Sequence, residues 1–208
     1  MPSRDYHEAL WQSVAGGSEP ADLALRRRFL LAHVDAGERL LDLGCGEGQL
    51  AAELAAGGVR VLGADVAREP LRRARERHPQ LELELLDGEG SWPLPDAAFD
   101  VVWAGEVIEH VADTSAWMSE VRRVLRSGGR LLISTPSLGR AQLLAAALSR
   151  RAFAARFEPR GDHLRFYSAA TLRELIASFG YEEVAVRRAG GIPAARRLLL
   201  ASAVRSRF

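Results

Sequence analysis

Two groups of residues have the types and spacings that chemistry requires. The first is Glu106-Val-Ile-Glu109-His110, which sets two carboxylates and an imidazole at i, i+3 and i+4. One helical turn would present all three on a single face, with Val107, Ile108 and Val111 turned to the core. His163, much later in the chain, supplies a second imidazole if the fold brings it to the same edge. Imidazole titrates near working pH, so His110 and His163 are candidate general bases. Glu106, Glu109, His110 and His163 together also make a ligand set that suits Zn²⁺, Mn²⁺ or Fe²⁺ better than Mg²⁺. The plainer alternative for His110 is a structural histidine at a helix start. His7, His33 and His78 stand in terminal or helical contexts and receive no role.

The second group is Asp42-x-Gly44-x-Gly46-x-Gly48, with Cys45 inside the glycine turn as a small lining residue rather than a nucleophile. Glycines there let a ligand approach the backbone at a strand end. Dinucleotide sites use G-x-G-x-x-G to seat a pyrophosphate on a helix N-terminus. This spacing differs, and Asp42 would repel a pyrophosphate but suit a cationic amino group. Asp65, 17 residues beyond Gly48, stands where a carboxylate accepts both hydroxyls of a ribose; its alternative is a helix N-cap.

The set resembles class I S-adenosylmethionine-dependent methyltransferases over roughly residues 20–187. The cofactor of that family carries an ammonium and a sulfonium but no phosphate. The resemblance implies that Asp42, Gly44, Cys45, Gly46, Gly48, Asp65, Val66, Asp87, Gly88 and Glu106 border the cofactor, with Asp87 meeting the adenine amino group. Glu106-Val-Ile-Glu109-His110, Gly128-Gly129-Arg130 and Asp162-His163 are most similar to the small-molecule branch that includes ubiquinone-biosynthesis O-methyltransferases. The same residues are similar to enzymes that methylate the terminal ribose of small RNAs. In those enzymes a divalent metal at the matching positions binds the acceptor hydroxyl and lowers its pKa.

The elements that must position these residues alternate between strand and helix. Leu40 to Leu43 reads as a buried strand, followed by a helix over Gln49–Ala56. Val59 to Ala64 is a second strand ending at Asp65, and Arg68–His78 a helix. Leu81 to Leu85 alternates as a third strand. Trp92 to Asp96 is a rigid loop that serves either as an adenine wall or as packing. Phe99 to Ala104 is a fourth strand. Asp113 opens a helix that Ser127-Gly128-Gly129 stops, and Arg130 to Thr135 is a fifth strand. Ser18 caps a helix with Pro20 in its first turn, running to His33, in which Arg26-Arg27-Arg28 is a solvated face.

Residues 136–167 form an insertion at the active edge, with a helix near Arg140–Arg151, and are predicted to act as a substrate lid. Ser168 caps a last helix that Gly180 ends. Tyr181–Arg187 and Arg197–Val204 form a final antiparallel pair, with a helix as the competing assignment for the second. The alternation predicts an α/β fold, a doubly wound and mostly parallel sheet with helices on both faces. Its seven strands in the order 3-2-1-4-5-7-6 follow from the resemblance alone. The chain reads as one domain over 1–208, with an N-terminal arm and helix over 1–34.

Composition narrows the partners. The chain has 208 residues, 48% hydrophobic and 26% charged, the balance of a soluble globular domain. A formal charge of +1 predicts neither nucleic-acid attraction nor a membrane surface. All 28 basic residues are arginine, which reflects coding bias rather than phosphate binding. A single cysteine excludes an intrachain disulfide and points to the cytoplasm. No apolar run has transmembrane length. The expected activity is S-adenosylmethionine-dependent methyl transfer to a small-molecule hydroxyl. The alternatives are an RNA ribose methyltransferase and a regulatory protein that binds the cofactor without turnover. A nicotinamide oxidoreductase is disfavoured by the glycine spacing. The acceptor and the oligomeric state are not legible.

Overall fold

The computed structural model describes residues 4–17, 22–88, 91–139, 143–144, 147–156, 163–192 and 196–207. The cap and first turn read at Ser18 and Pro20 lie outside the described residues, as do Gly161 and Asp162.

Strand β1 (Arg39–Leu43) sits inside the sheet because its side chains are apolar on both faces. Leu40 and Leu41 are fully buried and point to opposite sides. It pairs in parallel with β2 (Arg60–Asp65) on one side and with β4 (Phe99–Gly105) on the other. Beyond β2 lies β3 (Glu82–Leu85), a short edge strand whose alternation keeps one face half-buried. Beyond β4 lies β5 (Leu125–Pro136), then β7 (Leu198–Arg205) and β6 (Tyr181–Ala189), both of the last pairings antiparallel. The sheet order is β3-β2-β1-β4-β5-β7-β6, the order the resemblance implies. The competing helix for the last segment is excluded, since Leu198 to Val204 is paired residue by residue with β5.

Two apolar layers cover the sheet, and neighbouring residues divide between them. Leu41, Val102, Leu131 and Ile133 face one layer with Met118 and Val121 of α5 (Thr114–Val124). Leu40, Val101 and Leu132 face the other with Phe29 and Leu30 of α2 (Leu23–Leu31) and Leu54 of α3 (Gln49–Ala56). Burying one such leucine contributes about 1.5–3 kcal/mol. An exposed pair such as Arg72–Glu76 on α4 (Arg68–Arg77) is screened by solvent and adds little, so the layers hold the fold.

Local signals set several boundaries. Asp113 accepts from Ser115 N and Ala116 N and starts α5, as its position before the apolar stripe requires. Ser168 and Thr171 form a reciprocal capping box at the start of α7 (Ala169–Ser178). Helix α5 ends at Val124, three residues before Ser127, because Leu125 already pairs with Phe99 of β4. The insertion has helical residues at Leu143, Leu144 and Ala147 and a helix α6 (Arg150–Arg156), so the helix read near Arg140–Arg151 lies partly outside the described residues. The arginine run of α2 needs correction: Arg26 is 6% exposed and faces inward beside Phe29 and Leu30, whereas Leu31 is exposed.

Candidate functional site

The carboxyl ends of β1, β2, β3, β4 and β5 define one edge, and the strand order reverses there between β1 and β4. The glycine turn leaves β1 on that edge. Gly44 N and Cys45 N both donate to Ala64 O at 2.7 and 3.1 Å, which folds the turn back across β2. Gly44 has φ +68, and a Cβ there would lie 2.5 Å from Val107 Cγ2. Gly46 has φ +55, and its missing Cβ would lie 3.0 Å from the Trp11 ring. Both positions require glycine for conformation and for space. Cys45 packs its sulfur against Gly63. Burial, and then Asp42 and Asp65, push its thiol up, so it stays neutral and lines the turn.

Asp42 is 3% exposed. Burial first, and then the charge of Asp65, raise its carboxyl to about 7, against a lowering influence of Arg26. Asp65, also buried, uses both oxygens: Oδ2 accepts from Gly46 N at 3.1 Å and Oδ1 from Ala67 N at 3.0 Å. It therefore ties the glycine turn to the start of α4, although the N-cap residue itself is Ala67. A carboxylate has about four lone-pair sites, so acceptor capacity remains for another donor. Burial raises its carboxyl, opposed by the N–H groups of Ala67, Gly46 and Val66 and by His7. Val66 is half-buried and stands 3.7 Å from where a Cβ of Gly88 would be; Asp87 and Gly88 are exposed just past β3. Trp92 is buried against Trp117, with ring centroids 6.5 Å apart, and is core packing.

The carboxylate–imidazole group forms differently from the expected helical turn. Glu106 takes a left-handed conformation at φ +58, and only Ile108–His110 coils, as a 3₁₀ turn. The i, i+3, i+4 face is thereby lost. Ile108 faces the core, while Val107 and Val111 are half-buried. Glu106 accepts from Ser134 Oγ at 2.8 Å, and Glu109 Oε2 accepts from Thr135 Oγ1 at 2.8 Å. Adjacent hydroxyls at the end of β5 thus orient the two glutamates in different directions.

His163 is delivered by the chain that follows it. Leu164 N and Arg165 N donate to Glu109 O at 2.8 and 3.1 Å, and the Arg165 guanidinium donates to Val111 O and Ala112 O. The His110 and His163 rings consequently lie 4.9 Å apart, and His110 Nε2 is 4.0 Å from Glu109 Oε1. Glu109, His110 and His163 each offer one ligand atom, all within 4.8 Å of one another. Glu106 is not in that group.

Over residues 18–186 the chain matches a family described as a methyltransferase domain. The chain is a class I S-adenosylmethionine-dependent methyltransferase domain. It is 36% identical over 158 residues to a Mycolicibacterium smegmatis protein described as a probable S-adenosylmethionine-dependent methyltransferase, covering 73% of this chain and 55% of that one. It is 32% identical over 142 residues to the ubiquinone biosynthesis O-methyltransferase of Aeromonas salmonicida, covering 65% and 59% of the two chains. The chain spans about half the length of the curated relatives it matches. A solved structure of Haemonchus contortus phosphoethanolamine N-methyltransferase 2 shares the fold, with a TM-score of 0.72 at 20% identity over 89% of this chain and 52% of that one. Among the described residues no helix is long and apolar enough to cross a membrane.

Three residues at this edge escaped sequence reasoning. Arg26 is a buried cation that acts on both Asp42 and Glu106 and lowers each carboxyl against the effect of burial. A run of three arginines carries no signal that its first member turns inward, except the phase of Phe29 and Leu30. Trp11 touches the glycine turn and His7 faces His110, with ring centroids 6.2 Å apart. Neither contact has a local sequence signal.

Proposed function

We propose that this domain transfers the methyl group of S-adenosylmethionine to a hydroxyl oxygen of a small molecule. The observation that carries this is the meeting of Glu109, His110 and His163 on the sheet edge that also holds the glycine turn. The likeness to the ubiquinone biosynthesis O-methyltransferase of Aeromonas salmonicida supports oxygen as the acceptor atom.

The charges along the edge suit each part of the cofactor. Asp42 and Arg26 are buried and opposite in sign, matching the ammonium and carboxylate of its amino-acid end. Asp65 retains lone pairs for the ribose hydroxyls, with Val66 beside it, and Asp87 with Gly88 lies toward the adenine. The protein's main task is to hold the acceptor oxygen in line with the S–CH₃ bond and to take its proton. His110 and His163 are the groups placed to take it.

Two imidazole nitrogens and one carboxylate oxygen within 4.8 Å also fit a divalent cation of the Zn²⁺, Mn²⁺ or Fe²⁺ type. Bound there, such an ion supplies a Lewis acid that lowers the pKa of the acceptor hydroxyl. Glu109 is suited to hold it because Thr135 fixes its other oxygen. The test is a mass-spectrometric screen of hydroxyl, amine and carboxyl acceptors with S-adenosylmethionine, run before and after exhaustive chelation. Hydroxyl products are expected, with turnover falling on chelation and returning with one of those metals. Methylation of amines alone would overturn the acceptor assignment. An unchanged rate after chelation would leave His110 or His163 as a plain base.

A pH dependence follows from Asp42. Its carboxyl, raised to about 7, is largely protonated in the free protein below that pH, and a bound ammonium favours the ionised form. Binding at lower pH must therefore release a proton. Below pH 7 the ligand's own α-amino group stays charged. The dissociation constant for S-adenosylhomocysteine is expected to rise about tenfold from pH 7 to pH 5.5, and Asp42→Asn to bind weakly with most of that dependence gone. Titration calorimetry in buffers of differing ionisation enthalpy checks both; equal slopes for wild type and variant would remove Asp42 from the site.

A further inference from the structure

Helix α1 (Arg4–Ser13) is attached to the domain in an unusual way. Glu8 Oε2 accepts from Arg68 N at 2.6 Å and Glu69 N at 3.2 Å, the open first turn of α4. In return, Arg73 of α4 donates from Nη2 to Trp11 O at 3.1 Å and from Nη1 to Val14 O at 3.0 Å, at the end of α1. Each helix satisfies a terminus of the other. Glu47, in the glycine turn, joins the same network through Arg73 at 3.1 Å, Arg77, and Gly17 N at 2.8 Å.

The attachment is polar. Tyr6 and Leu10 remain 37% exposed, so α1 does not bury a continuous apolar face. Yet it carries two side chains to the site: Trp11 onto Gly46 and His7 toward His110. His7, His110 and His163 thus stand in a row contributed by three separate segments.

We propose that Glu8 is a positioning residue for cofactor binding. By capping α4 from outside, it holds α1 docked, which seats Trp11 on the glycine turn and completes the wall at His7. The cofactor side of the site is whole only while that cap is made. This rests on the methyltransferase assignment above and goes beyond it, since Glu8 is 60 residues from its partner and its carboxylate is engaged by the first turn of α4.

The test uses the full chain, S-adenosylhomocysteine as probe, and Glu8→Ala beside Glu8→Gln. The glutamine oxygen still accepts from both N–H groups, so Glu8→Gln should bind within about twofold of wild type, whereas Glu8→Ala should bind about 5- to 10-fold more weakly. In the free proteins, amide exchange over residues 4–14 should quicken in Glu8→Ala and stay slow in Glu8→Gln. That measurement reads docking without any ligand, and unchanged exchange in the core strands shows that the fold survives. Equal affinities for wild type and Glu8→Ala, or a loss in Glu8→Gln as large as in Glu8→Ala, overturns the proposal. A wild-type chain that binds no S-adenosylhomocysteine removes the methyltransferase assignment itself, a result distinct from equal affinities.

Discussion

His110→Ala is expected to lower turnover by about 10²–10⁴-fold while changing affinity for S-adenosylhomocysteine less than about twofold. The imidazole is partly open, faces His163 at 4.9 Å, and stands 4.0 Å from Glu109 Oε1. Glu109→Gln should reduce the rate in the same direction, since Thr135 can still donate to the amide oxygen while the charge that serves the imidazoles is lost. Single-turnover rates, with binding measured separately by calorimetry, distinguish a chemical role from a folding role. A His110→Ala protein within fivefold of the wild-type rate would move the chemistry elsewhere on the edge.

Gly46→Val is expected to abolish cofactor binding, and Asp65→Ala to weaken it by about 2–4 kcal/mol, roughly the loss of two charge-assisted bonds. At Gly46 two penalties coincide. A β-branched residue at φ +55 is strained, and its Cβ would press against Trp11 at 3.0 Å. Asp65 loses more than ribose contacts, because Gly46 N and Ala67 N lose their acceptor together. Gly37→Ala is a matched control, at φ +86 with nothing within 4 Å of the added Cβ. It imposes backbone strain far from the edge and should leave affinity unchanged. Calorimetric binding by Gly46→Val at wild-type strength would sink the assignment of the glycine turn.

Legibility followed the range over which each feature is determined. The helix over Gln49–Ala56 and the caps at Asp113 and Ser168 were readable because glycine, capping residue and apolar phase lie within a few residues of one another. Asp42 and Asp65 were readable because strand ends on one edge are what a glycine turn implies. The strand order was not readable from periodicity; parallel pairing gives no local sign of which neighbour lies beside which, and the order came from resemblance. The helical face at Glu106, Glu109 and His110 failed for a tertiary reason. Glu106 N bonds Ser134 O across β5 and its side chain bonds Ser134 Oγ, which holds it at φ +58. Arg26 failed because charge runs usually face water, and only the buried acids on the edge make an inward guanidinium favourable.

The insertion after β5 is closed at its neck. Ser137 and Tyr167 form an isolated bridge, Leu138 N bonds Tyr167 O at 2.9 Å, and Ser137 N bonds Arg197 O at 2.8 Å. The chain therefore leaves the sheet and returns to it at one point, and the sheet does not register how long the excursion is. Closure entropy rises slowly with loop length, about 0.6 kcal/mol for each doubling. A change of loop length upstream of His163 is therefore expected to cost little to the strands that carry Asp42 and Asp65. From His163 onward the chain is fixed again, because the two residues that follow it bond Glu109 O. The His163 imidazole is thereby held by the frame rather than by the length of the chain before it.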